Sequence, residues 1–373
     1  MKVMTILGTR PEIIRLSRII PLLDQHADHV LVHTGQNYAD TLSGVFFRDL
    51  GVRDPDVFLG VQAPSFGEQI GQILTHTEAL LREHHPDRVL ILGDTNSGLA
   101  AIVARRLGIP VYHMEAGNRC HDDRVPEEVN RRVIDHSSSV LLPYTNRSRE
   151  NLVREGIPGE RIHVIGNPIK QVIDHHADQI AASTALTDLG VSPRKYFLVT
   201  MHRAENVDGE PRLRRLVDAL TGLHQRYGHP VITSLHPRTR ARIERFGVKI
   251  DRKGLRWLEP LGFFDFVRLE QEAFCVLTDS GTVQEETCIF GVPNVTIRDV
   301  TERPETIEAG SNVLAGSDYA AITDAVQLVT SLERGWTPPA EYLAEHVAET
   351  VTRIVLGYRE PDLAEIAWVT GGG

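Results

Sequence analysis

The sequence predicts an α/β protein built from two parallel-sheet halves, and three observations carry that expectation. Short apolar runs of buried-strand type recur along the chain and alternate with helical stretches. Many of these runs end in a polar turn that opens the next helix, as in GTRPE, GDTNS and TDSGT, the pattern of βαβ units. The alternation breaks once, at the polar helical stretch 170–195, which predicts a junction. Residues 1–168 are then an N-terminal Rossmann-like domain, and residues 169–373 a C-terminal one that carries terminal helices. A chain of 373 residues has room for both.

The N-terminal half opens with the strand Val3–Leu7, followed at once by Gly8-Thr9-Arg10-Pro11-Glu12 and a helical run from Ile13 to Leu23. Pro11 suits the first turn of a helix, and the free amides there favour an anion beside the Arg10 guanidinium. His29–Thr34 is a second strand, leading into Gly35-Gln36-Asn37-Tyr38. Arg88–Leu92 is a third, followed by Gly93-Asp94-Thr95-Asn96-Ser97 and a helix over 99–107. Thr95, Asn96 and Ser97 are candidate caps for that helix, whereas Asp94 stands where a strand delivers a ligand-facing side chain. Val140–Leu142 and Ile162–Ile165 complete the half.

The C-terminal half opens with Tyr196–Thr200, which runs into Met201-His202-Arg203-Ala204-Glu205-Asn206. An amphipathic helix over 213–227 follows, then strands at 231–235, 255–258 and 275–278. Asp279-Ser280-Gly281-Thr282 next opens a helix and pairs small donors with free amides, a second anion cradle. Val292–Arg298 is a strand that leads to Thr301-Glu302-Arg303-Pro304, and helices over 320–332 and 342–356 close the chain.

Composition narrows the function. With 41% hydrophobic and 24% charged residues the chain can bury a large core. A net charge of −10 argues against bulk binding to nucleic acid, although a local arginine cluster can still hold a small anion. Three cysteines, Cys120, Cys275 and Cys288, have no paired spacing, so neither a disulfide framework nor a zinc site is expected. None of the 17 histidines forms a metal-ligand spacing; the pairs His84-His85 and His175-His176 read as surface helix positions. No apolar run suits a leader peptide or a bilayer span, and a cytoplasmic protein is expected.

The chemistry concentrates in HMEAGNRCHDDRVPEEVNRRVID, residues 113–135. Glu115 follows a strand's carboxyl end, the usual ligand edge of an open α/β sheet. Pro126 places Glu127 and Glu128 in a helix's first turn, with Glu127 and Arg131 at i,i+4 on one face. A solvated charged loop is the plainer reading, but acids and arginines at a sheet's ligand edge suit a polar pocket better. With two such halves the natural site is the interdomain cleft. One half offers Arg10, Asp94, Glu115 and Glu127; the other offers His202, Ser280, Gly281, Glu286 and Arg303. This set suits a nucleoside diphosphate joined to a group that undergoes proton transfer, without separating a glycosyltransferase from an epimerase.

The ordered segments GTRPEII, TGQNY, GDTNS, HMEAGNR, PEEVNRR, GNP, HRAEN, TDSGTVQEE and RDVTERPETIEAG resemble the non-hydrolysing UDP-N-acetylglucosamine 2-epimerases over nearly the whole chain. The resemblance implies a GT-B-like fold, a UDP-sugar substrate, a homodimer, and neither metal nor nicotinamide cofactor. It implies a mechanism in which UDP leaves C1 as the C2 proton is removed, and then adds back to a 2-acetamidoglucal. Asp94, Glu115, Glu127 and His202 match the catalytic positions. Arg10, His202, Ser280, Gly281 and Glu286 match the nucleotide binders, with Glu286 placed to accept from the ribose hydroxyls and Arg131 and Arg303 completing the charge network.

Departures from the family's usual wording are Arg15 in RPEIIR, Gln36-Asn37 in place of Gln-His, and Ser280-Gly281-Thr282 in place of SGG. Some of this wording resembles a branch acting on UDP-2-acetamido-2,6-dideoxy sugars, which would alter the sugar's C6 but not the epimerised carbon. A GT-B glycosyltransferase, a hydrolysing epimerase and a nucleotide-sugar sensor are the competing readings. Asn37 and Asp40 further predict that regulation through the turn after the second strand is weak.

Overall fold

The computed structural model describes residues 1–35, 44–250 and 253–358. It divides into two compact units: Met1–Val172 together with the chain from Ala344 onward, and Ile173–Leu343.

The first unit is built on six parallel strands, β1 (Lys2–Leu7), β2 (Asp28–His33), β3 (Val57–Phe58), β4 (Arg88–Leu92), β5 (Val111–Met114) and β6 (Val140–Leu142). They lie in the order β3-β2-β1-β4-β5-β6. Every residue of β4 is buried, as expected of a parallel strand covered on both faces, which explains its unbroken apolar run. Met4, Ile6, Val89 and Ile91 pack with Ala100, Ala101 and Ala104 of the helix Ala100–Arg106, whose small side chains let it lie close on the sheet.

The second unit repeats the plan with β7 (Phe197–Thr200), β8 (Val231–Ser234), β9 (Leu255–Leu258), β10 (Cys275–Thr278), β11 (Asn294–Thr296) and β12 (Asn312–Leu314). Their order is β12-β11-β10-β7-β8-β9, the same winding as in the first unit. In each unit the strand order reverses between two central neighbours, β1 with β4 and β7 with β10. The connections after these strands leave on opposite faces of the sheet, and the gap at their carboxyl ends is where such folds take ligands.

Several expectations are revised. The division falls after Val172, not after Pro168, and the last helix, Val347–Gly357, belongs to the first unit. The cause is local: Ala348 N donates to Gln171 Oε1 at 2.9 Å, Gln171 Nε2 donates to Glu349 Oε2 at 2.9 Å, and Arg88 donates to the Val355 carbonyl. Val347, Val351 and Val355 are buried on its inner face. Ile162–Ile165 is not a strand: Ile162 makes only an isolated parallel bridge with Leu141. The short edge strands β3 and β12 have too little sequence pattern to be read in advance. His176, expected at the surface, is buried against Phe263 and Phe264.

Candidate active site

In the first unit the turn after β1 starts the helix Arg10–Leu16, with Pro11 in its first turn as the sequence suggested. Arg10 lies with its guanidinium 5.6 Å from the Phe46 ring centre, and burial lowers its pKa. Glu12 is buried beneath this turn. Its Oε2 accepts from Gly8 N at 3.1 Å and Thr9 Oγ1 at 2.7 Å, and its Oε1 accepts from Thr95 Oγ1 at 3.2 Å. One carboxyl thus joins the turns after β1 and β4 at the reversal of strand order. Burial raises its pKa to about 7, against the lowering effect of these hydrogen bonds.

Thr95, Asn96 and Ser97, the candidate caps, act in the same joining role. Thr95 makes no side-chain cap to the 3-10 turn Asn96–Leu99 and reaches Glu12 instead. Asn96 donates to Gln69 Oε1 at 2.7 Å, and Ser97 meets Thr34 at 2.8 Å. Asp94 is partly exposed; Arg131 holds it through Nε at 2.8 Å and Nη2 at 2.6 Å.

Arg131 is buried on the helix Pro126–Ser137, and its Nη1 pairs with Glu128 at 2.7 Å. Arg131 thus has a partner at i,i+3 on its own helix, Glu128, as well as Asp94. Glu128 also accepts from Cys120 N at 3.1 Å and His121 N at 2.9 Å. Burial would raise its pKa, but these amides and Arg131 hold it below the usual carboxylate range. Glu127 stands half-buried in the first turn of the same helix. Glu115 follows β5 in the left-handed region, φ 65°, and pairs with Arg15 at 3.1 Å. Arg15 in turn lies 5.7 Å from the Tyr144 ring centre. Asp94 and Glu115 therefore follow neighbouring strands, each held by its own arginine.

In the second unit Asp279, at the end of β10, has the joining role that Glu12 has in the first. It is fully buried and accepts from His202 N at 2.9 Å, Arg203 N at 2.9 Å and Asn206 Nδ2 at 2.9 Å. His202 Nδ1 lies 3.0 Å from its other oxygen, and the His202 ring sits 5.5 Å from that of His236. Burial would raise the Asp279 pKa, yet His202 and these donors hold it well below the usual range. The two joining carboxyls are thus shifted in opposite directions, because Asp279 faces the His202 imidazole, whereas amides and hydroxyls meet Glu12.

Ser280 is the N-cap residue of the helix Gly281–Phe290, and its Oγ meets Thr282 Oγ1 at 2.7 Å. A Cβ at Gly281 would come within 2.8 Å of Glu302 Oε1 and 3.3 Å of Arg303 Cζ, so only glycine fits without displacing them. Arg303 pairs with Glu285. Arg298, fully buried, binds Glu205 at 3.1 Å and Glu302 at 2.7 Å, which ties the turn after His202 to that before Arg303. Glu286 is buried opposite Glu270, whose pKa is pushed well up by burial and then by the Glu286 charge.

The structure thus gathers Asp94, Glu115, Glu127 and Arg131, with Arg10 on the turn after β1, at the ligand edge of the first unit. It gathers His202, Ser280, Gly281, Glu286 and Arg303 at that of the second. Sequence reasoning noted Glu128 without giving it a role, and missed Glu12, Asp135, Asp279 and Arg298. Each is buried and polar, and only the Glu128–Arg131 spacing could have flagged one in advance. The Gln36-Asn37-Tyr38 turn and Asp40 lie outside the described residues. Among the described residues no three His, Cys, Asp or Glu are arranged to hold a metal ion, and no helix is long and apolar enough to cross a membrane.

Two doubly wound units, one edged with arginine-held carboxylates and the other with a glycine-led helix start, define an enzyme of GT-B-like architecture. A glycosyltransferase of lipopolysaccharide biosynthesis shares that fold, with a TM-score of 0.57 at 13% identity over 96% of this chain and 100% of its own. The UDP-N-acetylglucosamine 2-epimerase family profile matches residues 22–356. The UDP-N-acetylglucosamine 2-epimerase of Methanocaldococcus jannaschii is 41% identical over 347 residues, spanning 91% of this chain and 95% of that protein. The crystal structure of the M. jannaschii enzyme in complex with UDP-GlcNAc and UDP aligns with a TM-score of 0.91 at 39% identity, over 95% of this chain and 99% of that one. The chain belongs to the UDP-N-acetylglucosamine 2-epimerase family.

Proposed function

We propose that the protein interconverts UDP-GlcNAc and UDP-ManNAc by elimination and re-addition of UDP. The observation that carries this reading is the pair of separately clamped carboxylates, Asp94 with Arg131 and Glu115 with Arg15, after neighbouring strands. Inverting a carbon through a planar intermediate needs proton transfer on both faces, hence more than one acid–base group. A glycosyl transfer needs only one.

In the forward direction a carboxylate of the set Asp94, Glu115 and Glu127 takes the C2 proton. The C1–O bond breaks as the C1–C2 double bond forms, and UDP leaves with its bonding pair. A second group of the set returns a proton to the other face of C2, and the UDP oxygen re-forms the bond to C1. His202, oriented by Asp279, is proposed to act beside these acids. Arg10, Ser280 and Gly281 are proposed to receive the diphosphate, Glu286 the ribose hydroxyls, and Arg303 to complete the charge network. We further propose a homodimer, as the family resemblance implies, and a cytoplasmic location, as the sequence pattern suggested.

The test is incubation with UDP-GlcNAc in deuterated water, without added cofactor, read by NMR. Deuterium should enter at C2 of both UDP-GlcNAc and UDP-ManNAc. Epimerised product that keeps its original hydrogen would refute elimination, and the absence of both product and exchange would refute the epimerase reading.

A further inference from the structure

We infer that the buried His113–Asp135 pair is the positioning device for the acids of the first unit, a role that rests on the function proposed above. His113 is buried in β5 and faces an acceptor on each side of its ring. Its Nε2 lies 2.8 Å from the carbonyl of Gly93, and its Nδ1 lies 2.8 Å from Asp135 Oδ1. A carbonyl can only accept, so Nε2 carries a proton and donates it. Gly93 immediately precedes Asp94 and has φ 78°, so this hydrogen bond holds the residue on which the Asp94 turn pivots.

Asp135 extends the device to Glu115. Its Oδ2 accepts from Gly117 N at 3.1 Å and from Arg119 Nη2 at 2.7 Å. Gly117 lies two residues beyond Glu115 and has φ 81°, and a Cβ there would fall 2.2 Å from the Ser148 carbonyl oxygen. Glu115 itself is left-handed at φ 65°. Such a backbone persists only when its surroundings hold it, and the Asp135 carboxylate is one of the groups that do. Arg119 is anchored in turn by both oxygens of Glu155, at 2.8 and 2.7 Å.

Asp135 also belongs to the helix Pro126–Ser137, one turn beyond Arg131 and two turns beyond Glu127. One buried carboxylate therefore registers three segments against one another: the Asp94 turn through His113, the Glu115 turn through Gly117, and the helix of Glu127 and Arg131 through the chain. None of the three residues in this device, His113, Asp135 or Arg119, is proposed to touch the sugar. Their action is on where the acids stand.

The test separates the two sides of the His113 ring. His113→Gln reaches about as far as Nε2 and can still donate to Gly93, whereas His113→Asn keeps the contact with Asp135 and falls short of Gly93. Turnover of UDP-GlcNAc by H113N should fall about 100-fold, the usual consequence of a misplaced reacting group, with KM and UDP affinity held. H113Q should recover at least about tenfold of that loss. In an Asp94→Asn background, H113N should cost less than about threefold more, because the group it positions is already gone.

Equal turnover in H113N and H113Q would overturn the inference. So would an H113N loss that appears equally in KM and UDP affinity, or one that persists in full in the D94N background, since either marks a merely structural residue. Normal turnover in D94N alone would instead overturn the assignment of Asp94, and the positioning role with it.

Discussion

Glu12→Gln should flatten the dependence of stability on pH, and the structure gives both sign and size. Burial raises this carboxyl from its ordinary 4.5 to about 7 in the folded protein. Between those values the folded state keeps a proton that the unfolded state has released. The contribution to stability is therefore full below about pH 4.5 and is lost as pH rises through about 7. That interval corresponds to roughly 3 kcal/mol.

Glutamine is neutral at every pH and suits the same donors and acceptors. Its Oε1 can accept from Gly8 N and Thr9 Oγ1, where Glu12 Oε2 does, and its Nε2 can donate to Thr95 Oγ1. The native hydrogen bonds then survive without the cost of an ionised buried group. Denaturant unfolding of both proteins at pH 5 and pH 8 is the assay. The wild type should lose roughly 2.5 kcal/mol more than the variant across that range, and the variant should be the more stable of the two at pH 8. Parallel losses, within about 0.5 kcal/mol, would refute the reasoning and leave Glu12 an ordinary ionised carboxylate.

Two further predictions follow from the proposed roles. Asp94→Asn, Glu115→Gln and Glu127→Gln should each lower kcat by roughly two to four orders of magnitude while calorimetry finds UDP affinity unchanged; near-normal turnover in all three would displace the acid–base set. Arg10→Ala should weaken UDP itself by about 1.5–3 kcal/mol, the range for a hydrogen bond to a charged group. Ser280→Ala should weaken it in the same direction, and unaltered affinity in both variants would place the diphosphate elsewhere.

The sequence by itself determined the two α/β halves, most of the strands, and the turns that carry the polar residues. The reason is that a parallel strand covered on both faces is mostly apolar, as in the run Val89–Leu92 of RVLIL. Helix starts are equally local, so Pro11 and Pro126 marked theirs correctly. Edge strands as short as Val57–Phe58 carry no such pattern, and neither does the return of the helix Val347–Gly357 to the first unit.

Only the tertiary structure decided the partners. Arg131 meets Asp94 across 37 residues and Arg15 meets Glu115 across 100, distances in sequence that only the order of strands in the sheet can close. The same holds for Asp279, which reaches back 77 residues to His202. Spacing along one helix can bring Glu128 to Arg131 at i,i+3, but only the tertiary fold brings Asp94 to it. The residue types needed for proton transfer were legible in the chain. Their placement was not, since it depends on partners supplied by other strands.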